Sequence, residues 1–120
     1  MTGQLSRTVI EPNNPRLNVS RNANLPHSPG IRAREYIFLS GIGPVDPVTG
    51  GRNLGPIADQ IRQTLQNMEH MLTFAGSGLD RIVKINIVLA DIQGVPVIYT
   101  TPVSRCDGAD VVLLPTDPFG

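Results

Sequence analysis

The chain has 120 residues, with ten Lys plus Arg balanced by ten Asp plus Glu, and a single cysteine, Cys106. That length fits one domain, the zero net charge provides no overall basic field for nucleic acid, and one cysteine excludes both an intrachain disulfide framework and a metal site built on clustered cysteines. No apolar run approaches a bilayer span, and "MTGQLSRTVIEPNN" lacks a signal-peptide core, so a soluble cytoplasmic protein is expected.

In chain order, Met1–Ser6 reads as a loose end and "RTVI", 7–10, as a short β-branched strand. The stretch 11–30 is rich in Asn and Pro. Its four prolines predict an extended loop without helix. "IRAREYIFLSG", 31–41, reads as two strands turning at Arg34-Glu35. The second, 36–39, is continuously apolar, which predicts cover on both faces. Arg32 and Arg34, with Arg21 upstream, form the main basic cluster, read as solvated surface.

The strand runs into "SGIGPVDPVTGG". Two glycines, Gly41 and Gly43, suggest a backbone that must approach something closely; the alternative is a plain bulge or turn. In "DPVTGG" Asp46 caps its own turn, Pro47 fixes φ and Gly50 supplies a positive φ.

The clearest helix is 55–76. Gly55 is placed at the N-cap, Pro56 at the first helical position and Asp59 in the first turn, with Gly76 ending the helix. Ile57, Ile61, Leu65, Met68, Leu72 and Ala75 form one apolar stripe. His70, beside Glu69, is read as a polar-face residue. "RIVKINIVLADI" then alternates Val83, Ile85, Ile87 and Leu89 with other residues, predicting a strand with one apolar face and a central place in a sheet. In the tail, "PVIYTT" and "VVLL" are short-strand candidates, and no helical stripe occurs. The order β, β, β, long helix, β fits an α+β sandwich, a sheet covered by helix on one side.

These landmarks resemble, in order, the RidA/YjgF/YER057c family of reactive-intermediate deaminases. They are "Pro-His-Ser" at 26–28, "YIFLSG", "DPVTG", "QIRQTLQNME" at 60–69, "AGSGLDRIVK" at 75–84 and "INIVLADI". The resemblance covers about residues 7–92 of a single domain spanning 1–120. It implies a chorismate-mutase-like α+β sandwich, its mixed sheet covered on one face by a long helix. It also implies a homotrimer with ligand clefts between subunits. The implied activity is hydrolysis of enamines and imines such as 2-aminoacrylate to 2-keto acids and ammonia, with no metal or organic cofactor.

Residue by residue, the resemblance implies that Gly41 and Ile42 touch a 2-imino or 2-keto acid through backbone. His27 stands where the family commonly has tyrosine, and is either a pocket residue or an exposed loop histidine. Ser28 matches the family serine. Arg105, in "TPVSRCDGADVVLLP", is the nearest candidate for the arginine that grips the substrate carboxylate with its planar fork and is the one catalytic candidate.

The tail, 93–120, departs from the family. The family's second helix has no room between Asp91 and Pro102, and no Asp or Glu can be carried over to the role of positioning the attacking water. A naturally shortened second half, or a shifted reading frame near Gln93, are the two accounts. The alternative function is a RidA-like protein that binds 2-keto acids without turning them over. Nucleic-acid cleavage is disfavoured by the balanced charge and by only three Phe and two Tyr. Neither a nucleic-acid nor a membrane partner is expected.

Overall fold

The computed structural model describes residues 6–89 and 110–115. Strands β1 (Arg7–Ile10), β2 (Gly30–Ala33) and β3 (Tyr36–Leu39) form an antiparallel sheet in that order. The turn falls at Arg34-Glu35, as the polar pair predicts, and Arg34 enters the left-handed region at φ 55°. The register aligns Val9, Ile31 and Phe38 across the sheet, so these share a face with Tyr36.

The opposite face carries Ile10, Ile37 and Leu39. There Ile37 and Leu39 pack on Leu72 and Leu79, and Ile10 is buried. The outer face stays open. Val9 is 55% exposed, Tyr36 55% and Phe38 61%. Among the described residues the outer face of β3 is left uncovered, contrary to the expectation of cover on both faces; Ile37 and Leu39 alone face the helix, as in an antiparallel strand with one packed face.

Helix α1 (Val19–Asn22), one turn long, follows a 3₁₀ turn at Pro15–Leu17. This corrects the expectation of a loop without helix. Pro15 sits at the start of its turn, where a missing N–H costs nothing. Asn14 accepts from Arg16 N–H, and Asn18 accepts from Arg21 N–H. The asparagines read as loop formers are caps.

The long helix α2 spans Ile57–Phe74. It begins one residue later than the sequence suggests. Pro56 is the N-cap with ψ 149°, so its ring fixes a helical φ while the turn starts beyond it. Gly76 ends the helix as expected, with φ +86°. Gly76 N–H donates to Thr73 and Ser77 N–H to Leu72, the paired bonds of a Schellman motif.

The stripe behaves as predicted. Leu65 and Leu72 are buried, and Ile57, Ile61 and Met68 pack around Leu65 with Ile87. Fully burying one such leucine is worth about 2 kcal/mol. The carboxyl half of α2 thus rests on β3 and its amino half on the strand β4 (Lys84–Leu89).

β4 pairs in parallel with β5 (Asp110–Pro115), which contains the "VVLL" candidate. Among the described residues β4 has that one partner, so a central position is not seen. Ile85 is buried and Ile87 half-buried, while Val83 precedes the strand and is exposed. "PVIYTT", the gap after Asp91, Cys106 and Arg105 lie outside the described residues.

Arg32 is not simply solvated. It projects from β2 to the end of α2, where its Nη2 donates to the carbonyl of Ala75. A cation at a helix carboxyl end meets unpaired carbonyls and the negative pole of the dipole.

Candidate functional site

The segment after β3 has no regular structure until Val45 bridges Arg52. Asp46 Oδ1 accepts from Val48 N–H at 2.7 Å and Thr49 N–H at 3.2 Å, and Gly50 takes φ +79°. The turn is built as its residues predict, and it returns the chain so that Asn53 N–H reaches the Pro44 carbonyl.

Four hydrogen bonds then fix residues 40–45 in space. Ser40 donates through both its N–H and its hydroxyl to the Pro29 carbonyl, at 3.0 and 3.1 Å. Asn67, 4% exposed on α2, donates to the carbonyls of Gly43 and Val45 at 3.0 and 2.8 Å. Its own Oδ1 accepts from Gln63 at 3.0 Å, so both ends of the amide are engaged.

The result is a small cleft with about 20 Å³ of water-accessible space. The Leu17–Ser20 segment and Pro29 form one wall, Ser40–Gly43 the rim, and Asn67 and Met71 the back. Gly41 and Ile42, chosen from the sequence, both line it. Neither makes a hydrogen bond to any described residue, so their peptide groups are free to meet a ligand. A side chain added at Gly41 or Gly43 would meet nothing within 4 Å, and neither glycine has a positive φ. The fold of this copy therefore requires glycine at neither position.

His27 and Ser28 do not line the cleft themselves. His27 is exposed and Ser28 half-buried. His27 reaches the site indirectly, through a 2.9 Å hydrogen bond between its Nδ1 and Ser20 Oγ; Ser20 is in the wall and 5% exposed. Ser20, Asn67 and Met71 were missed by sequence reasoning. A helical residue four positions after another shares its face, so the buried pair Asn67 and Met71 marks a second face of α2. The apolar stripe conceals that face because one member is polar.

His70 has a buried Nε2 without a partner and faces an open groove with Gln66, Thr73 and Phe74. It lies outside the cleft. Among the described residues no three of His, Cys, Asp and Glu come together as a metal site, and no helix is long and apolar enough to cross a membrane.

The family model described as Endoribonuclease L-PSP matches residues 19–104. A RutC family protein of Pyrococcus horikoshii is 39% identical over 68 residues, which is 57% of this chain and 54% of that protein. The 2-iminobutanoate/2-iminopropanoate deaminase of Homo sapiens is 34% identical over 68 residues, 57% of this chain and 50% of that protein. A crystal structure of YyfA from Yersinia pestis, a conserved Rid-family protein, superposes with a TM-score of 0.79 at 26% identity, covering 96% of this chain and 91% of that one.

The chain belongs to the Endoribonuclease L-PSP family, the RidA/YjgF group whose landmarks its sequence carries. It has the chorismate-mutase-like α+β fold of that family. The matched segments cover about half the length of the curated relatives.

Proposed function

We propose that this chain hydrolyses reactive enamine and imine acids, such as 2-aminoacrylate, to 2-keto acids and ammonia. The observation that carries this reading is the backbone of Gly41 and Ile42, which bonds to no described residue, on the rim of a cleft. Peptide groups there can orient a small polar ligand, and the absence of a side chain at Gly41 lets it approach. The deaminase named among the human relatives supports the same substrate class. The chain's zero net charge gives no comparable support to an RNA substrate.

In this reading the backbone at Gly41 and Ile42 holds the imine, Arg105 grips the carboxylate with two parallel hydrogen bonds, and water attacks the electrophilic carbon. Such substrates are already reactive, so orientation supplies much of the rate. The working unit is a homotrimer in which a neighbouring copy closes the cleft. The open apolar face bearing Val9, Tyr36 and Phe38 supports self-association, because contiguous exposed apolar patches mark interaction surfaces.

Semicarbazide-trapped turnover of 2-aminoacrylate tests the activity. Rates above buffer that fall in Arg105→Ala support it. Background rates from an intact assembly remove it, and binding of 2-ketobutyrate without turnover then identifies a metabolite-binding protein instead.

A further inference from the structure

The proposed hydrolysis leaves a hydrogen-bonded pair beside the cleft without a role: Ser20 and His27. Their meeting is a product of local backbone. Ser20 lies in the one-turn helix α1, which Asn18 caps. Leu25 N–H donates to the Ser20 carbonyl at 2.7 Å, and Asn24 adopts φ 52°, a left-handed conformation that asparagine tolerates. This tight reversal folds the chain back so that residue 27 returns over residue 20.

The two ends of the pair face different media. Ser20 is 5% exposed and forms part of the cleft wall beside the Gly41–Ile42 rim, whereas His27 is open to solvent. A hydroxyl alone is a poor acid and a poor base. Bonded to imidazole nitrogen it can give up its proton to Nδ1 while taking another, the arrangement that makes serine–histidine pairs effective in proton transfer.

We infer that Ser20 and His27 form a proton relay between the cleft and solvent, Ser20 being the group that touches the reacting water and His27 acting through it. The inference rests on the proposed hydrolysis and names where its protons travel.

In the first step the water oxygen bonds to the imine carbon and the C=N π pair moves to nitrogen. The water proton passes to Ser20 Oγ as the serine proton passes to His27 Nδ1. The imidazolium returns that proton through Ser20 to nitrogen, giving the neutral carbinolamine; Ser20 and His27 then carry the carbinol hydroxyl proton to the same nitrogen, the C–N bond breaks with its pair on nitrogen to release ammonia, and the oxygen's pair closes the keto C=O. Imine plus water gives keto acid plus ammonia, and the relay ends as it began. Solvent exposure of His27 lets it exchange protons with bulk water between turnovers.

Steady-state turnover is measured for the wild type, Ser20→Ala, His27→Gln and His27→Ala, the last also with added imidazole. Glutamine can keep a hydrogen bond to Ser20 but cannot carry a proton. His27→Gln should therefore lose about 100-fold in kcat with KM and 2-ketobutyrate affinity unchanged. Imidazole should restore His27→Ala in proportion to its concentration, yet leave Ser20→Ala unrestored. Full kcat in His27→Gln, a change confined to KM, or failure of imidazole rescue overturns the relay while leaving the deaminase reading intact. A wild type without turnover removes both together.

Discussion

The side-chain amide of Asn67 donates to the carbonyl of Gly43 at 3.0 Å, across 24 positions of sequence. Through that bond and its companion to Val45, one buried polar residue on α2 sets the height of the glycine rim above the helix. Rim and helix share no regular secondary structure, so the position of the candidate site depends on a side chain rather than on a ladder.

Asn67→Leu tests that dependence. Leucine is similar in size but takes the amide donor from both carbonyls, of which that of Gly43 keeps the Val45 N–H, a loss of about 1–3 kcal/mol. Urea unfolding should show the loss as a lower midpoint at unchanged slope. Turnover should fall further than stability accounts for, since the rim is released as well. A midpoint equal to wild type means water replaces the amide without cost.

Gly76 and Gly41 make a contrasting pair. Gly76 has φ +86° with open space around it, so Gly76→Ala carries only the backbone cost, about 1 kcal/mol, and lowers Tm by a few degrees. Gly41 has neither a positive φ nor a close neighbour. Gly41→Ala should leave Tm unchanged or slightly raised while reducing 2-ketobutyrate binding, because its methyl group occupies the approach to the peptide group. Calorimetry on the folded variant decides this; unimpaired binding shows that the ligand does not come to this rim.

Arg32 joins β2 to the end of α2 through the Ala75 carbonyl. Arg32→Ala removes a charged donor from a partly buried site, and a loss of about 1–2 kcal/mol is expected. Hydrogen exchange should show the effect concentrated in the last turn of α2. Uniform loss of protection along the helix would instead point to the sheet as the element weakened.

Phe38 is 61% exposed in one copy, on the face it shares with Val9 and Ile31. If that face is where copies meet, Phe38→Asp should convert the native assembly to monomer with its circular dichroism retained. Mass measured under native conditions reads the outcome directly. An assembly of unchanged mass places the interface elsewhere.

Much of the fold is written locally. The helix, its Gly76 stop, the turn at Arg34-Glu35 and the capped turn at Asp46 follow from residue types at short spacing. Errors fell where one residue type has two uses. Asparagines in a proline-rich stretch read as loop, but Asn14 and Asn18 cap helical turns. A proline before a helix reads as its first residue, but an extended ψ makes Pro56 the cap.

The candidate site was half legible. Gly41 stood out because a strand running into Gly-x-Gly is unusual, Ile42 followed from the family resemblance, and both line the cleft. Ser20 and Asn67 carry no such signal. Both are small polar residues on helices, a pattern that solvated positions share, and only burial at 5% and 4% distinguishes them.

The sequence by itself determined the long helix, the strands of the first sheet and the turns at Arg34-Glu35 and Asp46, because those choices rest on periodicity and backbone preference within a few residues, while its ordered motifs carried the resemblance to the family. The tertiary structure decided that Asn67 meets Gly43, that Arg32 meets Ala75 and that His27 turns back to Ser20. A polar side chain has many partners of nearly equal worth in water. It selects one only when packing of the apolar faces has removed the water and brought a particular carbonyl or ring nitrogen within reach.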